Sequence, residues 1–170
     1  MAPPFDSDRD PATHTWRIDP ALGGDGYFYD MAPHTLDILD FFFGEITEAK
    51  GFGVNLGGLY AVSDTVTATL RFASGVLGSG RWCFVGSESS VCDKIVIAGT
   101  KGEIHLATFS FAPIRLITDD GEETFVYERP EHIQQPLIQT IVDELRSVGV
   151  CPSTGISGAR TSRVMDCILK

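Results

Sequence analysis

The chain has 170 residues and a mass of 18.4 kDa, the size of one ordinary domain able to bury roughly 70% of its unfolded surface. Its composition, 43% hydrophobic and 21% charged, is that of a globular protein and excludes a largely disordered one. Thirteen basic residues against 23 acidic ones leave a formal net charge of −10 with no Lys/Arg cluster, which excludes nucleic acid as a partner because there is no footprint for phosphate.

No apolar run approaches the ~20 residues that cross a bilayer. The N-terminus Met1-Ala2-Pro3-Pro4 has neither the basic nor the apolar part of a signal peptide. A cytoplasmic location without a membrane partner is therefore expected. Cys83, Cys92, Cys151 and Cys167 form no CxxC motif and read as reduced, structural thiols, although their spacing leaves a disulfide between two of them open.

Residues 1–15 carry three prolines in a mixed polar order without apolar periodicity, which predicts an extended lead-in. Trp16-Arg17-Ile18-Asp19-Pro20 and the turn Gly23-Gly24-Asp25-Gly26 follow. From Tyr27 to Phe43 the apolar residues Met31, Leu36, Ile38, Leu39, Phe42 and Phe43 recur at helical spacing, and Gly44 stands at the stop. Pro33 predicts either that regular helix begins near Asp30, a candidate N-cap, or that the helix is kinked.

The period then changes to two. Over 64–73, Val66, Ala68, Leu70 and Phe72 alternate with Thr65, Thr67, Thr69 and Arg71, a strand with one wet face. Similar runs near 47–56, 76–85, 91–98, 103–108, 113–118 and 123–128 are separated by short turn signals. Connections that short make antiparallel hairpins. Helical spacing returns over 133–148, through Leu137, Ile138, Ile141, Val142 and Leu145, and from about Gly158 to the end. The expected fold is α+β: an open, mostly antiparallel β-sheet with helices packed on one face, in a single domain over 16–170.

Asp30, His34 and Asp37 stand at i, i+4 and i+7, one stripe of one helix. Imidazole beside a carboxylate is suited to accept or return a proton near neutral pH, as oxidation of an alcohol requires, and Asp37 could bind a neighbouring hydroxyl. Spacing leaves other roles open: Asp30 as a helix cap, His34 satisfying a buried partner, Asp37 facing water. An Asp-His-Asp metal site is disfavoured, because three ligands on one stripe cannot surround an ion unaided.

The run Trp16-Arg17-x-Asp19-Pro20, the glycine-rich turn, Asp30-x-x-x-His34-x-x-Asp37 and a helix ending in Gly44 resembles the C-terminal half of the glucose-fructose oxidoreductase / inositol dehydrogenase (Gfo/Idh/MocA) family. Pro152-Ser153-Thr154-Gly155, with Ala159-Arg160-Thr161 and Arg163-Val164 after it, resembles that family's closing segment. The resemblance implies an oxidoreductase using NAD or NADP on a sugar, cyclitol or related polyol. It makes His34 the proton-transferring residue, Asp30 its companion and Asp37 a substrate ligand, with Trp16 and Arg17 near the cofactor. It also implies a homo-oligomer through the open sheet face.

Asp25 departs from the family's usual Gly-Gly-Gly turn, either tuning specificity or capping the helix. The family's nucleotide-binding Rossmann domain, with its catalytic lysine, is expected to lie outside these residues. Gly51-Phe52-Gly53 and Gly78-Ser79-Gly80 both lack the third glycine and helix start that a dinucleotide cradle needs. The chain alone is therefore expected to be inactive. The alternative is a non-catalytic sugar-binding or oligomerisation module.

Overall fold

The computed structural model describes residues 10–170. Of the lead-in expected over 1–15, residues 1–9 lie outside the described residues. The remainder is not uniformly extended: Pro11–Thr13 form a single 3-10 turn, capped where Asp10 Oδ1 accepts from Ala12 N at 3.0 Å. The elements that follow are α1 (Tyr27–Phe43), β1 (Ile46–Val54), β2 (Thr65–Phe72), β3 (Leu77–Cys83), β4 (Ile95–Gly99), β5 (Gly102–Leu106), β6 (Ile114–Thr118), β7 (Gly121–Phe125), α2 (Gln135–Leu145) and α3 (Gly155–Leu169). Each of the seven expected strands is present. They divide into two antiparallel sheets, ordered β1-β2-β3 and β4-β5-β6-β7.

The residues also group into two compact units. The first comprises the described residues up to Cys92 with Ile156–Lys170, and the second comprises Asp93–Gly155.

In the first unit, β2 is the central strand and shows the expected alternation, with Val66, Ala68, Leu70 and Phe72 buried and Thr67, Thr69 and Arg71 exposed. Helices α1 and α3 cover the apolar face. Phe28, Ala32 and Leu36 of α1, each fully buried, join Val164, Met165 and Ile168 of α3 in one core with the β2 side chains. Glycines let α3 approach β1 closely: a Cβ at Gly51 would meet Ile168 Cγ2 at 2.7 Å, and one at Gly53 would meet Leu169 Cδ2 at 2.7 Å. Both glycine pairs weighed as phosphate cradles thus sit inside strands, Gly51 and Gly53 in β1 and Gly78 and Gly80 in β3.

The second unit is a four-stranded meander plus α2. Two-residue turns join Gly99 to Gly102 and Thr118 to Gly121, so β7 begins earlier than the apolar pattern indicates. Strand β4 begins later, because Asp93 folds back to accept from the N–H groups of Thr108, Phe109 and Ser110 at 3.0, 2.7 and 2.7 Å. These three bonds depress the Asp93 pKa against the opposing effect of burial. Helix α2 keeps the predicted apolar stripe but has no buried residue, Leu137, Ile138, Ile141 and Val142 all being partly exposed.

The four cysteines are free. Only Cys151 is buried; its thiol donates to the Ser153 carbonyl at 3.1 Å and accepts from the Thr140 hydroxyl at 3.4 Å. No helix among the described residues is long and apolar enough to cross a membrane.

Candidate active site

The site is built around the first turn of α1. Trp16–Ile18 form a short 3-10 turn whose Ile18 enters the core, leaving Trp16 exposed and Arg17 half-buried. The following turn lies directly on it. A Cβ at Gly23 would fall 2.4 Å from the Arg17 carbonyl oxygen and 2.6 Å from that of Trp16, so only glycine allows this approach. Gly26, at φ +73°, is the N-cap, and α1 starts at Tyr27.

That start corrects the expectation for Asp30, which is not the cap and lies in the first turn of a helix already begun. It corrects Asp25 as well: its carboxylate does not cap α1 and instead accepts from Ser63 N at 3.0 Å. Pro33 lies inside the helix. The burial of Phe28, Ala32 and Leu36 outweighs the backbone bond that proline cannot make.

Three of the five candidate residues form a contact chain. The Arg17 guanidinium sits 4.7 Å from the Trp16 ring centroid, a cation–π stack. Arg17 Nε donates to Asp30 Oδ2 at 2.6 Å. Asp30 thus carries a fixed positive charge against its carboxylate, with 29% of its side chain still exposed. His34 follows one turn along the same stripe and is exposed. It does not fill a buried polar niche.

Asp37, another turn on, is half-buried, and its Oδ1 lies 3.5 Å from Thr161 Oγ1 of α3. It therefore faces the helix seam more than the solvent that the spacing left open. Among the described residues, no group of three His, Cys, Asp or Glu side chains is placed to hold a metal ion.

Sequence reasoning missed the polar seam between α1 and α3. Buried Asp40 accepts from Arg160 Nη2 at 2.5 Å, and Tyr29 donates its hydroxyl to Asp166 Oδ1 at 2.8 Å. Burial pushes the Tyr29 phenol up to about 12, assisted by the hydrogen bond to Asp166 and by the charges of Asp166 and Asp25. The Tyr29 and Lys170 hydrogen bonds hold Asp166 below the usual carboxylate value. An acidic residue on an otherwise apolar helix face, as at Asp40, was the available signal. Its partner 120 residues away had none.

A brace on the other side of the turn was also missed. Asp64, fully buried, accepts from Leu56 N, Gly57 N and the Thr65 hydroxyl at 3.0, 2.6 and 2.9 Å. Asn55 Nδ2 donates to the Tyr60 and Val62 carbonyls, the second at 3.0 Å. The β1–β2 loop so shaped sets Tyr60 edge-on to Tyr27, with ring centroids 6.1 Å apart.

Comparison with known proteins agrees with this architecture. Residues 4–105 match the family described as the GFO/IDH/MocA C-terminal domain. Over 151 residues the chain is 30% identical to Oxidoreductase P35 of Formosa agariphila, covering 89% of this chain and 46% of that protein.

Among solved structures, an NAD-binding oxidoreductase from Klebsiella pneumoniae superposes with a TM-score of 0.77 at 19% identity, over 99% of this chain and 54% of that one. A levoglucosan dehydrogenase in complex with NADH and levoglucosan gives 0.79 at 17%, over 98% and 53%. An oxidoreductase from Agrobacterium radiobacter, in complex with NAD+, L-tartaric acid and magnesium, gives 0.70 at 20%, over 86% and 46%. The chain spans about half the length of the relatives it matches. On its sequence match and its fold, this chain belongs to the GFO/IDH/MocA family of oxidoreductases, as a C-terminal domain.

Proposed function

We propose that residues 16–170 form the substrate-side domain of a nicotinamide-dependent oxidoreductase acting on a sugar, cyclitol or related polyol in the cytoplasm. The observation that carries this reading is the outward stripe at the start of α1. Asp30 stands there on Arg17, itself stacked on Trp16, and exposed His34 follows one turn on, while Tyr27, Phe28, Ala32 and Leu36 of the same turns are buried in the core. Levoglucosan and L-tartaric acid, bound by two structural neighbours, both carry the secondary hydroxyls this chemistry needs.

In this mechanism the substrate hydroxyl hydrogen-bonds to an imidazole nitrogen of His34. NAD or NADP, when bound, supplies the acceptor for the hydride leaving the carbon that bears the hydroxyl. His34 takes the hydroxyl proton as the carbonyl forms and passes it to solvent. Asp30, fixed by Arg17, orients the imidazole from the preceding turn. Asp37 binds a second hydroxyl only if it turns away from Thr161. The exposed Trp16 ring and Arg17 would line the cofactor side.

Two expectations concern the chain by itself. It is inactive without a nucleotide-binding domain, and it self-associates through the outer face of β1–β3, where Phe52 and Leu77 are 80% and 72% exposed. That second property also supports the alternative, a non-catalytic sugar-binding or oligomerisation module.

The test uses the intact protein containing this domain, assayed for NAD+ and NADP+ reduction over a panel of sugars, cyclitols and polyols. His34→Ala is expected to lower kcat by about 10²–10⁴-fold. Turnover unchanged in His34→Ala would refute the assignment, and absence of turnover on every polyol would favour the non-catalytic module.

A further inference from the structure

Asp25 lies between two glycines in the turn before α1. Its Oδ1 accepts from Ser63 N at 3.0 Å, 38 residues away at the end of the β1–β2 loop. Two further contacts reach the same turn from the same loop, and a third comes from the residue that follows β3. A Cβ at Gly26 would lie 2.6 Å from Val62 Cγ2, Tyr60 packs edge-on to Tyr27, and Phe84, whose N–H donates to the Asp64 carbonyl at 2.8 Å, packs on the other side of Tyr27 at 5.6 Å between centroids.

The loop is itself braced by hydrogen bonds. The buried Asp64 carboxylate gathers Leu56 N, Gly57 N and the Thr65 hydroxyl, and the Asn55 amide spans the Tyr60 and Val62 carbonyls. On the opposite side, Gly23 is seated on the Trp16 and Arg17 carbonyls. The first turn of α1, with Asp30 in it, is therefore held between two surfaces, and Asp25 supplies the hydrogen bond across one of them.

We infer that Asp25 is a positioning residue: by accepting from Ser63 N it locks the glycine turn to the β1–β2 loop and so fixes where α1 begins and where Asp30 and His34 stand. It acts as a hydrogen-bond acceptor, not through its charge and not by touching substrate. The catalytic part of this inference rests on the proposed function; the structural link does not. Displacing a reacting group by about 1 Å can cost up to ~10²-fold in rate, so a loosened turn lowers kcat more than it changes KM.

Two measurements test this. In the intact protein, Asp25→Ala is expected to lower kcat about tenfold to 100-fold with KM changed by less than about threefold, and Asp25→Asn, which keeps the acceptor oxygen, to recover most of that loss. In the chain itself, amide hydrogen exchange at Ser63 and over Tyr27–Tyr29 is expected to accelerate about tenfold or more in Asp25→Ala and to stay near the parent rate in Asp25→Asn. Asp25→Gly replaces the alanine variant if that one does not fold.

An asparagine variant as slow as the alanine variant would overturn the proposal in favour of a charge role, and so would an alanine variant of unchanged kcat. Unchanged exchange at Ser63 in Asp25→Ala would overturn the link itself. If the intact protein turns over no polyol, the functional reading fails separately, and the exchange data alone decide whether Asp25 fixes the turn.

Discussion

Alanine at Gly51 and at Gly53 separates two kinds of crowding on one strand. A Cβ at Gly51 would lie 2.2 Å from the Thr67 carbonyl oxygen and 2.7 Å from Ile168 Cγ2. The first obstacle is backbone of the neighbouring strand, so no side-chain rotation relieves it. At Gly53 the obstacles are Leu169 Cδ2 and Ser63 Oγ, both at 2.7 Å and both at side-chain ends.

Overpacking that cannot relax costs about 1–3 kcal/mol, while Gly→Ala returns about 0.4–1 kcal/mol by restricting the unfolded chain. The expected balance is a loss of about 1–2 kcal/mol for Gly51→Ala and less than about 0.5 kcal/mol in either direction for Gly53→Ala. At roughly 2–4 °C per kcal/mol for a chain of this size, Gly51→Ala lowers Tm by about 2–8 °C. Both tryptophans, Trp16 and Trp82, belong to the first unit, so a tryptophan-fluorescence melt follows that unit without the second. Equal losses at the two positions, or a neutral Gly51→Ala, would refute the reasoning that crowding against backbone cannot relax where crowding against side-chain ends can.

Tyr29 links stability to alkaline pH. Its folded-state pKa, raised from the ordinary 10.0 to about 12, makes the neutral phenol the stabilised form. Its contribution is complete below pH 10 and is lost as pH rises from there through about 12, so Tyr29→Phe should flatten the stability profile in that window. Phenolate absorbance of the folded chain checks the titration, and an ordinary midpoint would refute it. For the outer face of β1–β3, Phe52→Glu places a charge at the single aromatic of β1, itself exposed, and is expected to shift light-scattering mass toward the monomer. An assembly unaffected by it does not use that face.

Local pattern was enough to place the elements. The period-two run over 64–73 specifies β2 because alternate side chains of a strand point to opposite faces whatever surrounds them. The helical spacing over 27–43 likewise marks α1, and the family motif identifies its polar stripe. What pattern could not supply was the partner of each polar group. The Asp30 carboxylate could cap, bind or pair, and only folding brings Arg17 to it.

The helix start illustrates the same division. Pro33 left two options, a beginning near Asp30 or a kinked helix, since local sterics count against an interior proline; the helix begins at Tyr27 with Pro33 inside it, and Phe28, Ala32 and Leu36 are all buried in the core. Asp25, Asp40, Asp64 and Asp166 look alike as sequence. Each has a distinct role fixed by a donor that is distant or backbone in origin: Ser63 N, Arg160, the Leu56 and Gly57 amides, and the Tyr29 hydroxyl.

From its residues alone this chain determined its secondary structure, its antiparallel hairpins, its family and the stripe that bears its candidate chemistry. All of these depend on neighbours close in sequence or on motif spacing. The tertiary structure decided the division of strands into two sheets, the seam between α1 and α3, and the grip on the glycine turn. Those depend on hydrogen bonds and close approaches between residues tens of positions apart, which exist only once the backbone has brought donor and acceptor within about 3 Å.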